Sequence, residues 1–253
     1  MKYNKFLTLI VPVLSFIFLE IYSFYPKSVF VILVIIFSLF FFLARQFAYA
    51  SGKKDNIINT ISLPILFTFG SVFVSFFIIN KWVVHVLFLV NLIFLYYYFK
   101  MLYYHFLKLD LFQKEKMENL STYGNFLAFY FMAVSFFGLQ LFLDIAIWKL
   151  IILLAGVVFL IVFQISWSGE INKQTSFFYS LLLSLIVLEL AWGISFLTLS
   201  YYILGLILTI SFYVLIGLIR FYLFGNLSKE KVKMYLIFGL ISVSIALLTA
   251  RWI

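Results

Sequence analysis

Nine apolar runs, each long enough to cross a bilayer as a helix, follow one another along this chain with only short charged or polar breaks between them. They fall at about 6–25, 28–48, 57–79, 82–106, 122–143, 146–167, 175–197, 200–223 and 233–251. A hydrocarbon core of ~30 Å needs roughly 20 apolar residues in a helix, so length is the signal here. A β-barrel would instead alternate apolar and polar residues over strands of about ten, and no such alternation is present. Composition agrees: 66% of the residues are hydrophobic and only 11% are charged, whereas soluble domains average about 25% charged. The expected fold is therefore an all-α, polytopic transmembrane helical bundle forming a single integral membrane domain over residues 1–253.

Lysine and arginine orient that bundle. With the N-terminus in the cytoplasm, only Lys27, Lys81, Lys149 and Arg251 of the 18 basic residues fall on the outer side. That asymmetry is the positive-inside bias, and it predicts an N-in, C-out chain with an odd number of spans. The same bias accounts for the net charge of +9, so nucleic acid is not an expected partner. The first run follows Lys2 and Lys5, as in a signal peptide. However, Glu20, Tyr22 and Tyr25 stand where a small-residue cleavage site would be, and the run reads as a retained span.

Outer connections are very short, and the largest inner one is KLDLFQKEKMENLST at 108–122, expected as a loop. Such a chain acts within the bilayer or by holding another protein. Tyr96, Tyr97, Tyr98, Tyr103 and Tyr104 fall at the inner end of the fourth run, where an aromatic belt is expected.

Several functions are poorly matched. No Gly-rich phosphate loop and no HExxH pair occurs, cysteine is absent, and there are two histidines. No metal and no cofactor is expected. Gly193-Ile-Ser195 resembles the start of an intramembrane serine protease motif. Phe196 takes the place of a small residue, and both histidines precede the serine rather than follow it. An intramembrane enzyme is thus the least favoured role.

Against this background the polar residues inside the runs stand out. Glu189, in IVLELAWGISF, sits roughly 21 Å along the seventh run from its inner end, beyond the midplane. A charge at mid-membrane costs on the order of 2.5–3.5 kcal/mol on insertion scales, so it needs a proton or a partner. Glu20, His85, Asp144 and Arg251 also fall in the outer half and complete the candidate polar or proton site. On the opposite side of the seventh run, Ser180, Ser184, Ala191 and Ser195 share a narrow sector, the pattern of close helix packing in membranes. If both faces met protein, this helix would lie mid-bundle.

The last quarter, from LELAWGISFLTLSYYILGLILTISFYVLIGLIRFYLFGNLSKEKVKMYLIFGL to LLTARW, is similar to uncharacterised polytopic membrane proteins of candidate-phyla (ultra-small) bacteria. The resemblance implies a bacterial cytoplasmic membrane and brings no activity with it.

The expected role is a multi-pass, non-enzymatic packing or assembly component of a membrane complex, located in the cell membrane. Its partners would be the lipid bilayer and other membrane proteins or further copies of the chain. The alternative is a permease or an ion- or proton-coupled transporter using Glu189, and only that role calls for a small solute or ion. No matched Gly/Pro breaks point to the inverted repeats common in transporters.

Overall fold

Where no water is at hand, every backbone N–H and C=O must find its partner within the protein, and a helix does this locally. The computed structural model describes residues 2–51, 57–107, 111–168, 172–223 and 225–250, and among these it contains nine α-helices. They are α1 (Lys2–Phe24), α2 (Val29–Ser51), α3 (Ile57–Ser75), α4 (Lys81–Leu107), α5 (Leu111–Leu143), α6 (Ile147–Ser168), α7 (Lys173–Ile194), α8 (Tyr201–Leu223) and α9 (Lys229–Thr249). Eight of them are long and apolar enough to cross a membrane, and the chain is an all-α, multi-pass membrane protein.

Most helix ends lie within about one turn of the expected spans, and polar residues set them. Asn80 Oδ1 accepts from the Trp82 amide at 3.0 Å at the start of α4. Asn172 caps α7 by accepting from the Gln174 amide, and Ser228 caps α9 by accepting from that of Lys231. Asp144 follows α5 at φ 49°, a left-handed conformation that aspartate tolerates and that commonly ends helices.

Two boundaries differ from expectation. Of the segment 108–122 expected as a loop, residues 111–122 are helical, because α5 begins at Leu111, and 108–110 lie outside the described residues. Its QKEKMENL stretch is rich in helix-forming residues and contains neither Gly nor Pro. The third run, expected over 57–79, leaves the helix after Ser75. There the amides of Phe76, Phe77 and Ile78 bond three residues back rather than four, a tightening typical of helix ends.

Packing divides the chain into two units, Met1–Ala128 and Phe129–Ile253. In the first, α4 packs against α1, α2 and α3. Contacts of α3 with α4 descend in order: Asn91 against Ser71 and Thr68, Phe94 stacked on Phe67 at 4.1 Å, and Tyr98 against Thr60. The two helices therefore run antiparallel, and α3 crosses the unit in a shorter helix than its neighbours. The α4 residues Val84, Phe88, Asn91, Leu95, Tyr98 and Leu102 form one buried face.

In the second unit, sequential helices from α6 to α9 pack antiparallel. Phe159 of α6 meets Phe177 of α7, Tyr179 of α7 meets Tyr222 of α8, and Tyr213 of α8 stacks on Tyr235 of α9. Small residues allow the closest approaches. Gly205 of α8 lies against the backbone of Val134 in α5, and Gly217 lies under the Tyr235 ring.

Candidate functional site

Four polar contacts fasten the helices of the first unit, and each follows from a local feature of the sequence. Glu20 lies four residues before the end of α1, and His85 four residues after the start of α4. At ~1.5 Å per residue both sit roughly 6 Å from the same end of an antiparallel pair. His85 Nδ1 is 2.7 Å from Glu20 Oε2, with 34% of the histidine and 24% of the glutamate side chain exposed. It is the one contact between an acidic and a basic side chain found among the described residues. Phe24 and Trp82 rings flank the imidazole.

Two residues nearer the end of α1, the buried hydroxyls of Tyr22 and Ser75, the last residue of α3, are 3.0 Å apart. Further along α4 from His85, the fully buried Asn91 donates through Nδ2 to Ser71 Oγ at 3.0 Å and, more weakly, to Thr68 Oγ1 at 3.4 Å. The fourth contact answers a defect in α3. Pro64 lacks the N–H that would bond to the Thr60 carbonyl four residues earlier. Tyr98 donates its hydroxyl to that carbonyl at 2.9 Å.

This corrects the aromatic-belt reading for Tyr98, which is completely buried, whereas Tyr97 is 49% exposed. Sequence reasoning also passed over Asn91, Thr68 and Ser71. A signal was present: Asn91 and Tyr98 are seven residues apart, hence on one helix face, and Pro64 marks Thr60 as needing a donor.

Glu189 is placed differently. It lies on α7, roughly 7 Å short of the Ile194 end. Its side chain is exposed and has no hydrogen bond or ion pair among the described residues. Phe178, Leu182, Leu185 and Phe196 on the same side are exposed as well. The described residues of the chain therefore do not cover this face of α7. The opposite face does pack. Ser180, Ser184 and Ala191 are buried, and Ser184 Oγ lies 3.4 Å from the Ala155 carbonyl of α6. Ser195 lies beyond α7 as its C-cap, donating to the Trp192 carbonyl at 2.6 Å.

The remaining candidates do not join a site. Asp144 is exposed in the turn between α5 and α6, and Arg251 is outside the described residues. No group of three or more His, Cys, Asp or Glu side chains suited to a metal occurs among the described residues.

No protein-family model, curated protein or solved structure matches this chain.

The geometry must therefore speak for itself. A cavity between α6 and α8, lined by Val162, Ser166, Ile216 and Arg220 among others, holds only ≈ 10 Å³. That is about the room one water needs, too little for a transported solute.

The Glu20–His85 contact joins residues 65 apart in sequence. Because both groups are partly exposed, its worth is expected to be modest, about 1 kcal/mol. In a double-mutant cycle with Glu20→Leu and His85→Leu, unfolding should show a coupling of that size. Strictly additive losses would mean that the contact does not fasten α1 to α4.

Proposed function

We propose that the chain is a non-enzymatic assembly component of a membrane complex, resident in a bacterial cytoplasmic membrane. One observation carries this reading. Glu189 presents an unpartnered carboxyl on an otherwise apolar, exposed face of a helix long enough to span the membrane. A carboxyl in hydrocarbon is expensive unless hydrogen-bonded. The chain itself supplies partners to Glu20, to the Tyr22 hydroxyl and to Asn91 Nδ2. Among the described residues the buried oxygens Asn91 Oδ1 and Ser121 Oγ lack a hydrogen bond, but neither of those is an acid exposed on an apolar face. A face that ends in an unsatisfied acid is best explained by another protein helix covering it.

Extraction in polymer-bounded discs of native lipid tests the reading. The chain is expected in discs holding more than one protein chain, and Glu189→Leu should lower their share. Wild-type discs holding one chain and lipid alone would remove the assembly role.

A second reading, proton-coupled transport, draws on the Glu20–His85 pair. Two titratable groups in direct contact, each partly exposed, are equipped to accept and pass on a proton. If proton flux into vesicles carrying the purified chain is the same for wild type and Glu20→Gln, that reading fails.

A further inference from the structure

Taken along α7, the exposed residues Phe178, Leu182, Leu185, Glu189, Trp192 and Phe196 are spaced alternately by four and three. Phe178 to Trp192 form one straight stripe on α7, and Phe196 follows in the turn just past Ile194. Trp192 and Phe196 are already packed edge to face, with centroids 5.3 Å apart. The stripe differs in one respect from the exposed stripe of α1, formed by Phe6, Ile10, Val13, Ile17, Ile21 and Phe24. That one is apolar throughout, as lipid requires, whereas the α7 stripe contains a carboxyl.

The other carboxyls with described side chains are accommodated. Glu20 is paired, Asp144 lies in a turn, and Glu230 is in the first turn of α9. Glu189 alone among them faces outward from within a span without a partner.

The assembly reading above is the basis for naming what covers this stripe. We propose that α7 pairs with α7 of a second copy of this chain, with the two Glu189 carboxyls hydrogen-bonded to each other across a two-fold axis along the membrane normal. Two copies inserted in the same orientation necessarily carry Glu189 at the same depth. A two-fold interface then sets each residue of the stripe near its own counterpart. A neutral carboxylic acid has one donor and an acceptor, so it is complementary to itself. One carboxyl O–H can thus donate to the partner's carboxyl oxygen. A single polar residue within an apolar heptad seam also fixes the register of a helix pair.

The chain has no cysteine, so single cysteines can be introduced on the full-length protein and oxidised in vesicles. Phe178→Cys, Leu182→Cys, Leu185→Cys, Trp192→Cys and Phe196→Cys are expected to give covalent dimers. Ser180→Cys and Val187→Cys, on the buried face, should give none. Photobleaching of labelled purified chain in vesicles should show two-step particles that become single-step on dilution with lipid. Glu189→Leu should weaken pairing roughly 3- to 20-fold, the span of measured hydrogen-bond effects between membrane helices. Glu189→Gln should preserve pairing, because an amide also donates and accepts.

Single-step bleaching of the wild type at every lipid ratio would overturn the proposal. So would cysteine cross-links spread over all faces of α7, or pairing unchanged by Glu189→Leu. If Glu189→Leu does not fold, the cysteine scan in the presence of Glu189 still decides. Multi-chain native discs together with a monomeric purified chain would reject self-pairing and leave the assembly reading standing. Single chains in both would reject both.

Discussion

Gly205→Ala is expected to destabilise the second unit by about 1–3 kcal/mol, the usual cost of overpacking. A Cβ at this position would lie 2.7 Å from Val134 Cγ2, 2.9 Å from the Val134 backbone nitrogen and 3.0 Å from its Cα. A side-chain tip can swing aside, but a backbone atom moves only with its helix. Relief therefore requires α5 and α8 to separate. That separation would also disturb the Phe129–Phe212 stack, whose rings are 4.1 Å apart on the same two helices. Gly156→Ala and Gly193→Ala are the controls, since a Cβ at either position meets nothing within 4 Å. Alanine favours helix over glycine by about 1 kcal/mol, so both controls should be neutral or slightly stabilising. Denaturant unfolding of the purified chain distinguishes them. A Gly205→Ala variant as stable as the Gly156→Ala variant would show that α5 and α8 are not in backbone contact.

The second large effect is expected at Tyr98, through its link to Pro64. Removing the hydroxyl in Tyr98→Phe deletes a fully buried hydrogen bond to the Thr60 carbonyl, at an expected cost of about 1 kcal/mol or somewhat more. The packing is otherwise retained, because the Tyr98 ring contacts with Phe94 and Phe99 do not depend on the hydroxyl. Pro64→Ala restores an N–H at the position where α3 lacks one. In that background the Thr60 carbonyl regains its helical donor, and Tyr98→Phe should cost clearly less than it does alone. A four-variant cycle read by unfolding checks this non-additivity. Equal costs in the two backgrounds would mean that Tyr98 does not stand in for the missing amide.

These expectations mark which features could be read from the sequence. Helix class and the approximate spans followed from run length, because the bilayer sets that length and tolerates little else. The ends at 108–122 and at Ser75 were less legible. Charge reads as a break in an apolar run, yet Gln113, Lys114, Glu115 and Lys116 belong to α5, since charged residues with good helix propensity continue a helix. Helical angle divides α7 into a serine face, where Ser180, Ser184 and Ala191 are buried, and a Glu189 face, which is exposed. It could not show whether protein covers the latter, because an apolar residue suits lipid and protein equally. Depth put Glu20 and His85 in the same half of the membrane, and the antiparallel packing of α1 and α4 brings them into contact. The partners of Asn91 and Tyr98 required the register of α3 against α4, which no single helix encodes.

Across the first unit, the polar groups act as fasteners between helices, and in the second the acid of α7 is turned outward. The central claim is that another protein chain meets that acid. A density map of the native particle that resolves α7 tests it most directly. The account predicts a protein donor outside this chain within hydrogen-bond distance of the Glu189 carboxyl, with Leu185 and Trp192 shielded from lipid. Acyl chains lying along the whole stripe, or a water-filled cavity reaching Glu189, would contradict it.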